Sequence, residues 1–236
     1  MHKFYEKNEV LFAVIWILAY CFVMAPIKGG PGYSSIWMLL ALLAFAAGIT
    51  AFVKTNHLEE KYGLTGWPKD MKRYRFLIPM WILATGNLWD GIAPSYHGVQ
   101  LVTALLSMAL VGYVEEMIFR GFLFKGMLSE EKPAAAIIVS SLTFGMGHII
   151  NLFTGQAVFE TMVQLIFAVS WGFIFTMVFY KSGSLIPCII AHAMIDVFSL
   201  LGADNLVIDQ ICIGVTVVTA VVWCIFLSRL KRAEAE

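Results

Sequence analysis

Apolar side chains run along this chain in eight blocks separated by mostly short polar connections: 10–27, 36–53, 76–93, 99–124, 134–153, 159–180, 184–201 and 207–227. Each block approaches the ~20 residues an α-helix needs to cross the hydrocarbon core of a bilayer. The pattern predicts an all-α polytopic integral membrane protein with eight transmembrane helices. Composition agrees, with 60% hydrophobic residues, 14% charged residues and a mean hydropathy of +0.80, outside the range of an ordinary soluble domain. The first block follows a charged start, as in a signal peptide. Its run is longer than a typical signal core and lacks a small-residue cleavage site before the turn at 28–32, so it reads as an uncleaved first membrane helix. With no internal repeat, low-complexity tract or soluble segment, residues 1–236 form a single membrane-embedded domain.

Charge adds orientation. Lys3 and Lys7, then Lys54, Lys61, Lys69, Lys72, Arg73 and Arg75, then Lys125 and Lys132, then Lys181, then Arg229, Lys231 and Arg232 all fall in connections on one side of an eight-span chain. The other side receives Lys28 alone. Basic residues collect on the cytoplasmic side of membrane proteins, so both termini are expected in the cytoplasm. The compact loops point to a prokaryotic plasma membrane. The one long connection, 54–75, interleaves Leu58, Tyr62, Leu64 and Trp67 with charges, and reads either as an amphipathic piece on the cytoplasmic interface or as a solvated loop. Basic residues scattered among short loops give no nucleic-acid surface. Cys21, Cys188, Cys212 and Cys224 lie in apolar blocks without metal-type spacing and read as buried hydrophobes, with a nucleophile role left open for Cys188 near His192.

Three blocks carry ionisable residues that do not belong in lipid. Block four holds Glu115, Glu116 and Arg120, block five holds His148, and block seven holds His192 and Asp196. A charge near a helix centre in lipid costs roughly 2.5–3.5 kcal/mol even on gentle insertion scales. Such residues are therefore retained for internal pairing, function or both. Glu116 and Arg120 are four apart and stack on one face, whereas Glu115 lies about 100° away and is left to face another helix. His192 and Asp196 share the same spacing, which suits a carboxylate orienting an imidazole. Phe144 and His148 share a face, and Gly145 and Gly147 permit close helix approach. At 1.5 Å per residue, Glu115 and His192 fall on the order of 12–15 Å from the cytoplasmic end and His148 roughly 20 Å from it, so helices four, five and seven are expected to enclose a polar cavity open to the cytoplasm. A carboxylate with two imidazoles can activate water or form a zinc shell of Glu115, His148 and His192; the spacing alone does not separate these.

The set Glu115-Glu116-x-x-x-Arg120, Phe144-x-x-x-His148 and His192-x-x-x-Asp196 resembles the motifs of the CPBP (ABI) family of intramembrane proteases. That family includes type II CAAX prenyl endopeptidases and bacteriocin-processing or immunity proteins. The resemblance covers 99–201, the expected catalytic core. It implies metal-independent peptide hydrolysis, with Glu115 activating water, His148 holding it, His192 with Asp196 stabilising the oxyanion, and Glu116 with Arg120 bracing the site. CAAX-processing members carry Asn at the last position. An ionised Asp196 cannot donate to an oxyanion, so it is either protonated or orients His192. The free end of Arg120 is available to a substrate C-terminus, and Phe144 reads as core packing. His2, His57 and His97 read as surface residues, and Asp90, Asp204 and Asp209 as solvated helix ends. The expected partners are a peptide or membrane-protein substrate and the bilayer. Two rival readings stay open: a non-proteolytic immunity or regulatory scaffold that binds a peptide or a sensor kinase, and a proton-coupled transporter in which Glu115, His148 and His192 form a relay.

Overall fold

The computed structural model describes residues 2–68, 75, 77–128 and 132–230, and the described secondary structure is helical. A short helix α1 (His2–Lys7) leads into α2 (Glu9–Gly29), which Asn8 caps by accepting from the Leu11 amide at 2.9 Å. Ser35 likewise caps α3 (Ile36–Thr55). After α4 (Leu77–Ala84) comes α5 (Gly98–Glu116), which continues without a break through a π-helical stretch, Met117–Phe124, into α6 (Lys125–Met127). Pro133 opens α7 (Pro133–Met146), which tightens into a 3₁₀ segment, Gly147–Thr154. Helix α8 (Val158–Ser182) ends on the left-handed Gly183 (φ 72°), and α9 (Ile186–Ser199) and α10 (Leu206–Arg229) complete the chain.

Six helical stretches are long and apolar enough to cross a membrane: Glu9–Gly29, Ile36–Thr55, Gly98–Met127, Pro133–Thr154, Val158–Ser182 and Leu206–Arg229. The third and seventh apolar blocks form shorter helices, Leu77–Leu88 and Ile186–Ser199. The third is cut short at Thr85–Gly86, where the chain turns into a 3₁₀ step against Cys212. The seventh starts only after the Gly183 cap and a Leu185 amide bond to the Gly63 carbonyl. At about 21 Å, α9 is a short rod held inside the bundle.

Helix α5 packs against α9 and α3, and α8 against α7 and α10. The most apolar windows of Val158–Ser182 and Gly98–Met127 are 61% and 56% buried within the protein, against 22% for the first and last spans, so α5 and α8 form the centre. Glycines set the closest approaches. A Cβ on Gly112 would lie 2.6 Å from the Ala193 nitrogen, and one on Gly172 would lie 2.7 Å from the Ser141 carbonyl. These contacts draw α5 onto α9 and α8 onto α7, where the ionisable residues sit.

The two ends of the bundle differ. At the basic end, the start of α2 meets α6, the Leu185 amide meets the Gly63 carbonyl, and Lys181 donates to the Leu230 carbonyl. At the opposite end, Gly29 abuts Thr154, and the connection after α4 bonds to the end of α9 through Ala93 and Ser95. The 54–75 connection is a series of turns as far as residue 68; the part of the predicted amphipathic piece at 69–74 lies outside the described residues. Tyr62 does not lie on an interface: it is fully buried, and its ring meets Phe122 at 5.5 Å within a cluster that includes Phe12, Phe52 and Tyr5. Its hydroxyl donates to Tyr5 at 2.8 Å, and Lys61 bonds both Tyr5 and Glu9. Partial burial pulls the Lys61 ammonium down, but its hydrogen bonds to Glu9 and Tyr5 outweigh that and hold it above the usual lysine range. Burial pushes the Tyr62 phenol up. Aromatic packing thus seals the basic end.

Candidate active site

Glu115 and Glu116 close the α-helical part of α5, just before the backbone widens into the π-helical stretch that carries Arg120. Widened turns of this kind recur at functional sites because they re-aim side chains within an otherwise regular helix. Arg120 points inward and has no exposed side-chain surface. Its Nη1 donates to Glu116 Oε1 at 2.7 Å, Nη2 to the Gly172 carbonyl at 3.3 Å and Nε to Thr176 Oγ1 at 3.4 Å. The guanidinium lies over the Phe144 ring, 4.2 Å from its centroid. Arg120 is therefore enclosed, and the expectation that its free end meets a substrate C-terminus does not hold: it lines neither of the polar cavities described below.

Glu116 is the hub. The same Oε1 that takes Arg120 stands 2.9 Å from His192 Nδ1. The sequence pairs His192 with Asp196, but in the folded protein Glu116 makes the close contact. Asp196 Oδ2 stands at 3.5 Å from the other ring nitrogen, Nε2, which also faces Glu115 Oε2 at 3.9 Å. The reason is tertiary: the Gly112–Ala193 contact brings the two helices close enough for Glu116 to reach across. Aromatic rings hold the imidazole, Phe175 stacked at 5.6 Å and Phe144 edge-on at 5.5 Å. Phe144 thus does more than fill the core, since its ring contacts Arg120, His148 and His192.

Glu115 has a partner that the sequence did not reveal. Tyr20, on the first membrane helix, donates its hydroxyl to Glu115 Oε1 at 2.8 Å, and both side chains are buried. His148 sits at the start of the 3₁₀ segment with Nδ1 3.3 Å from the Phe144 carbonyl. A carbonyl only accepts, so Nδ1 carries a proton, and in the neutral ring Nε2 keeps its lone pair.

Two cavities meet at Glu115 and His148. The smaller, about 30 Å³, is lined by Tyr20, Met24, Lys28, Phe119, Gly147 and neighbouring residues as well as by that pair. It has room for water. The larger, about 200 Å³, adds His192 and Asp196 and runs past Met108, Val111, Gln164 and Ser199 to Lys28, Tyr33 and Leu200. Glu115, His148, His192 and Asp196, drawn from three helices, therefore do line one cavity. That cavity is shared by the first helix and extends away from the aromatic seal, towards the end poor in Lys and Arg. The expected cytoplasmic mouth and the expected cytoplasmic location of the basic end are consequently incompatible. Among the described residues, no three His, Cys, Asp or Glu side chains come together as a metal-ligand group, and Glu115, His148 and His192 do not form a zinc shell. Cys188 is buried, with its thiol against the Phe175 carbonyl, and lines neither of these cavities.

Tyr20 and Lys28 also line the site, although no motif in the sequence marks them. Their signals are a phenol midway along an apolar span and the one lysine that departs from the charge asymmetry. Residues 97–198 match the family described as type II CAAX prenyl endopeptidase Rce1-like. No curated protein and no solved structure matches the chain. The matched segment begins one residue before α5 and ends within α9, so it includes Glu115, His148, His192 and Asp196. Over that segment this membrane protein is similar to the Rce1-like, CAAX-protease family.

Proposed function

We propose that the protein is an intramembrane endopeptidase that hydrolyses peptide bonds with a water activated by Glu115, and that 99–201 is its catalytic core. The observation that carries this reading is the cavity with room for water that Glu115 and His148 bound and that meets the one lined by His192 and Asp196. A water there donates one hydrogen to Glu115 and the other to His148 Nε2, which leaves an oxygen lone pair for the carbonyl carbon of the substrate. Glu115 takes the proton as the C–O bond forms. It then delivers the proton to the departing amine as the C–N bond breaks. Tyr20 fixes the carboxylate through its hydrogen bond at 2.8 Å.

His192 has an acceptor at each ring nitrogen, Glu116 on one side and Glu115 with Asp196 on the other. The imidazolium form matches both, and its Nε2–H is the donor for the developing oxyanion. Asp196 acts by holding that ring. In this reading the basic end and both termini lie in the cytoplasm of a prokaryotic plasma membrane, and substrate enters from the other side.

Cleavage of quenched fluorescent peptides by purified protein tests the mechanism. Glu115→Ala and His148→Ala are expected to abolish cleavage, and a chelator to leave it unchanged. Wild-type cleavage by Glu115→Ala would refute the glutamate–water mechanism, and loss to chelator with restoration by zinc would replace it with a metal-dependent one.

A further inference from the structure

Lys28 lies in the last turn of α2, one of two cations within the membrane-spanning part of the fold that face the site. The other, Arg120, is spent on Glu116 and enclosed. Lys28 is different. Among the described residues it has no hydrogen-bond or ion-pair partner, and its ammonium lies 5.8 Å from the centroid of the Tyr33 ring. It lines both polar cavities.

A lysine at the end of a membrane helix commonly snorkels to the lipid headgroups. The direction of this one argues otherwise. Tyr20, Met24 and Lys28 recur every four residues along the inward side of α2, whereas Leu11, Ile15, Leu18 and Phe22 are exposed on the outside. Lys28 therefore continues the row that begins with the Glu115 partner.

We propose that Lys28 is a substrate-binding residue that takes the free C-terminal carboxylate of a peptide whose scissile bond lies at Glu115. This inference rests on the peptidase reading and names its specificity determinant. Beside Glu115 the cavity wall carries Asp196, and His192 is already matched by carboxylates, so the cation left for a substrate carboxylate in this cavity is Lys28. From Tyr20 to Lys28 is about 12 Å along the helix. An extended chain covers that length in roughly three to four residues, so one peptide can engage both ends. Apolar Met24, Met108 and Val111 line the space between.

The competing role for Lys28 is to balance the charge of Glu115 and Asp196, which interact with it electrostatically. The two roles separate when a short apolar fluorogenic peptide is compared as free acid and as C-terminal amide. Wild-type protein is expected to cleave the acid with a kcat/KM about ten- to a hundredfold above the amide, the range of one charge-assisted hydrogen bond. Lys28→Met should equalise the two, with the loss falling on the acid as a higher KM, and its thermal unfolding midpoint reports that the variant is folded. Lys28→Arg should restore the preference. Equal loss on both peptides would assign Lys28 to charge balance and overturn the proposal, as would a wild-type protein indifferent to the terminus.

Binding separates this proposal from the peptidase reading. Glu115→Gln protein in nanodiscs should bind the labelled acid at least about tenfold more tightly than the amide, with the difference erased by adding Lys28→Met. That result with no cleavage by wild type would refute proteolysis and keep Lys28 as the carboxylate site. Equal binding of acid and amide would refute Lys28.

Discussion

The sharpest energetic prediction concerns Glu116 and Arg120. Both side chains are wholly inaccessible, and each supplies the main counter-charge of the other at 2.7 Å. Removing one partner of a buried pair strands the other charge and costs about 3–5 kcal/mol. Arg120→Met leaves the Glu116 carboxylate with His192 alone on Oε1 and an Oε2 that already lacks a hydrogen-bond partner among the described residues, so the full range is expected. Glu116→Gln leaves the guanidinium with the weaker Gly172 and Thr176 contacts at 3.3 and 3.4 Å and the Phe144 face, which places it near the lower end. The double variant removes both charges and keeps the ring packing, so it should be destabilised by at least about 2 kcal/mol less than the sum of the singles. Equilibrium unfolding of the purified protein in mixed micelles with increasing SDS measures all three. Additive single effects, or a cost of Arg120→Met below about 1 kcal/mol, would refute the idea that the pair is a desolvated unit. Activity should not recover with stability. The double variant still lacks the carboxylate on His192 Nδ1 and is expected to remain slow.

Tyr20→Phe removes the donor to Glu115 and should lower kcat/KM roughly ten- to a hundredfold with little effect on thermal stability; unchanged kinetics would remove Tyr20 from the site. Gly112→Ala forces a methyl against the Ala193 backbone and should cost about 1–3 kcal/mol, read as a lowered unfolding midpoint together with reduced cleavage, because the Glu116–His192 contact depends on that approach. Lys61→Met should cost only about 0.5–1 kcal/mol, since the pair with Glu9 is partly exposed. The Lys61 ammonium is held above its usual range in the folded state, so its contribution is complete below the unfolded value near ~10.4 and is lost as pH rises through the folded value. The Lys61→Met deficit should therefore be equal in unfolding measurements at neutral and mildly alkaline pH and shrink only at strongly alkaline pH. A deficit that vanished on acidification instead would contradict that sign.

Apart from the shortening of the third and seventh blocks, the all-helical apolar blocks, the charge asymmetry and the set of intramembrane ionisable residues follow from the order of residues alone, because hydrophobic blocks and four-residue spacings are local properties. Glu116 beside Arg120 is such a case, and the two meet at 2.7 Å. Partners between helices are not local. Only the fold puts Tyr20 on Glu115 and adds Glu116 at His192 Nδ1 to the Asp196 that stands at Nε2, because close approach at Gly112 and Ala193 lets Glu116 reach across to the ring. The direction of the cavity is likewise a packing outcome: Tyr62 and Phe122 fill the basic end, leaving the path from Glu115 open towards Lys28. The sequence determined that a carboxylate sits in the membrane with imidazoles nearby; the tertiary structure decided what holds it and from which end it is reached.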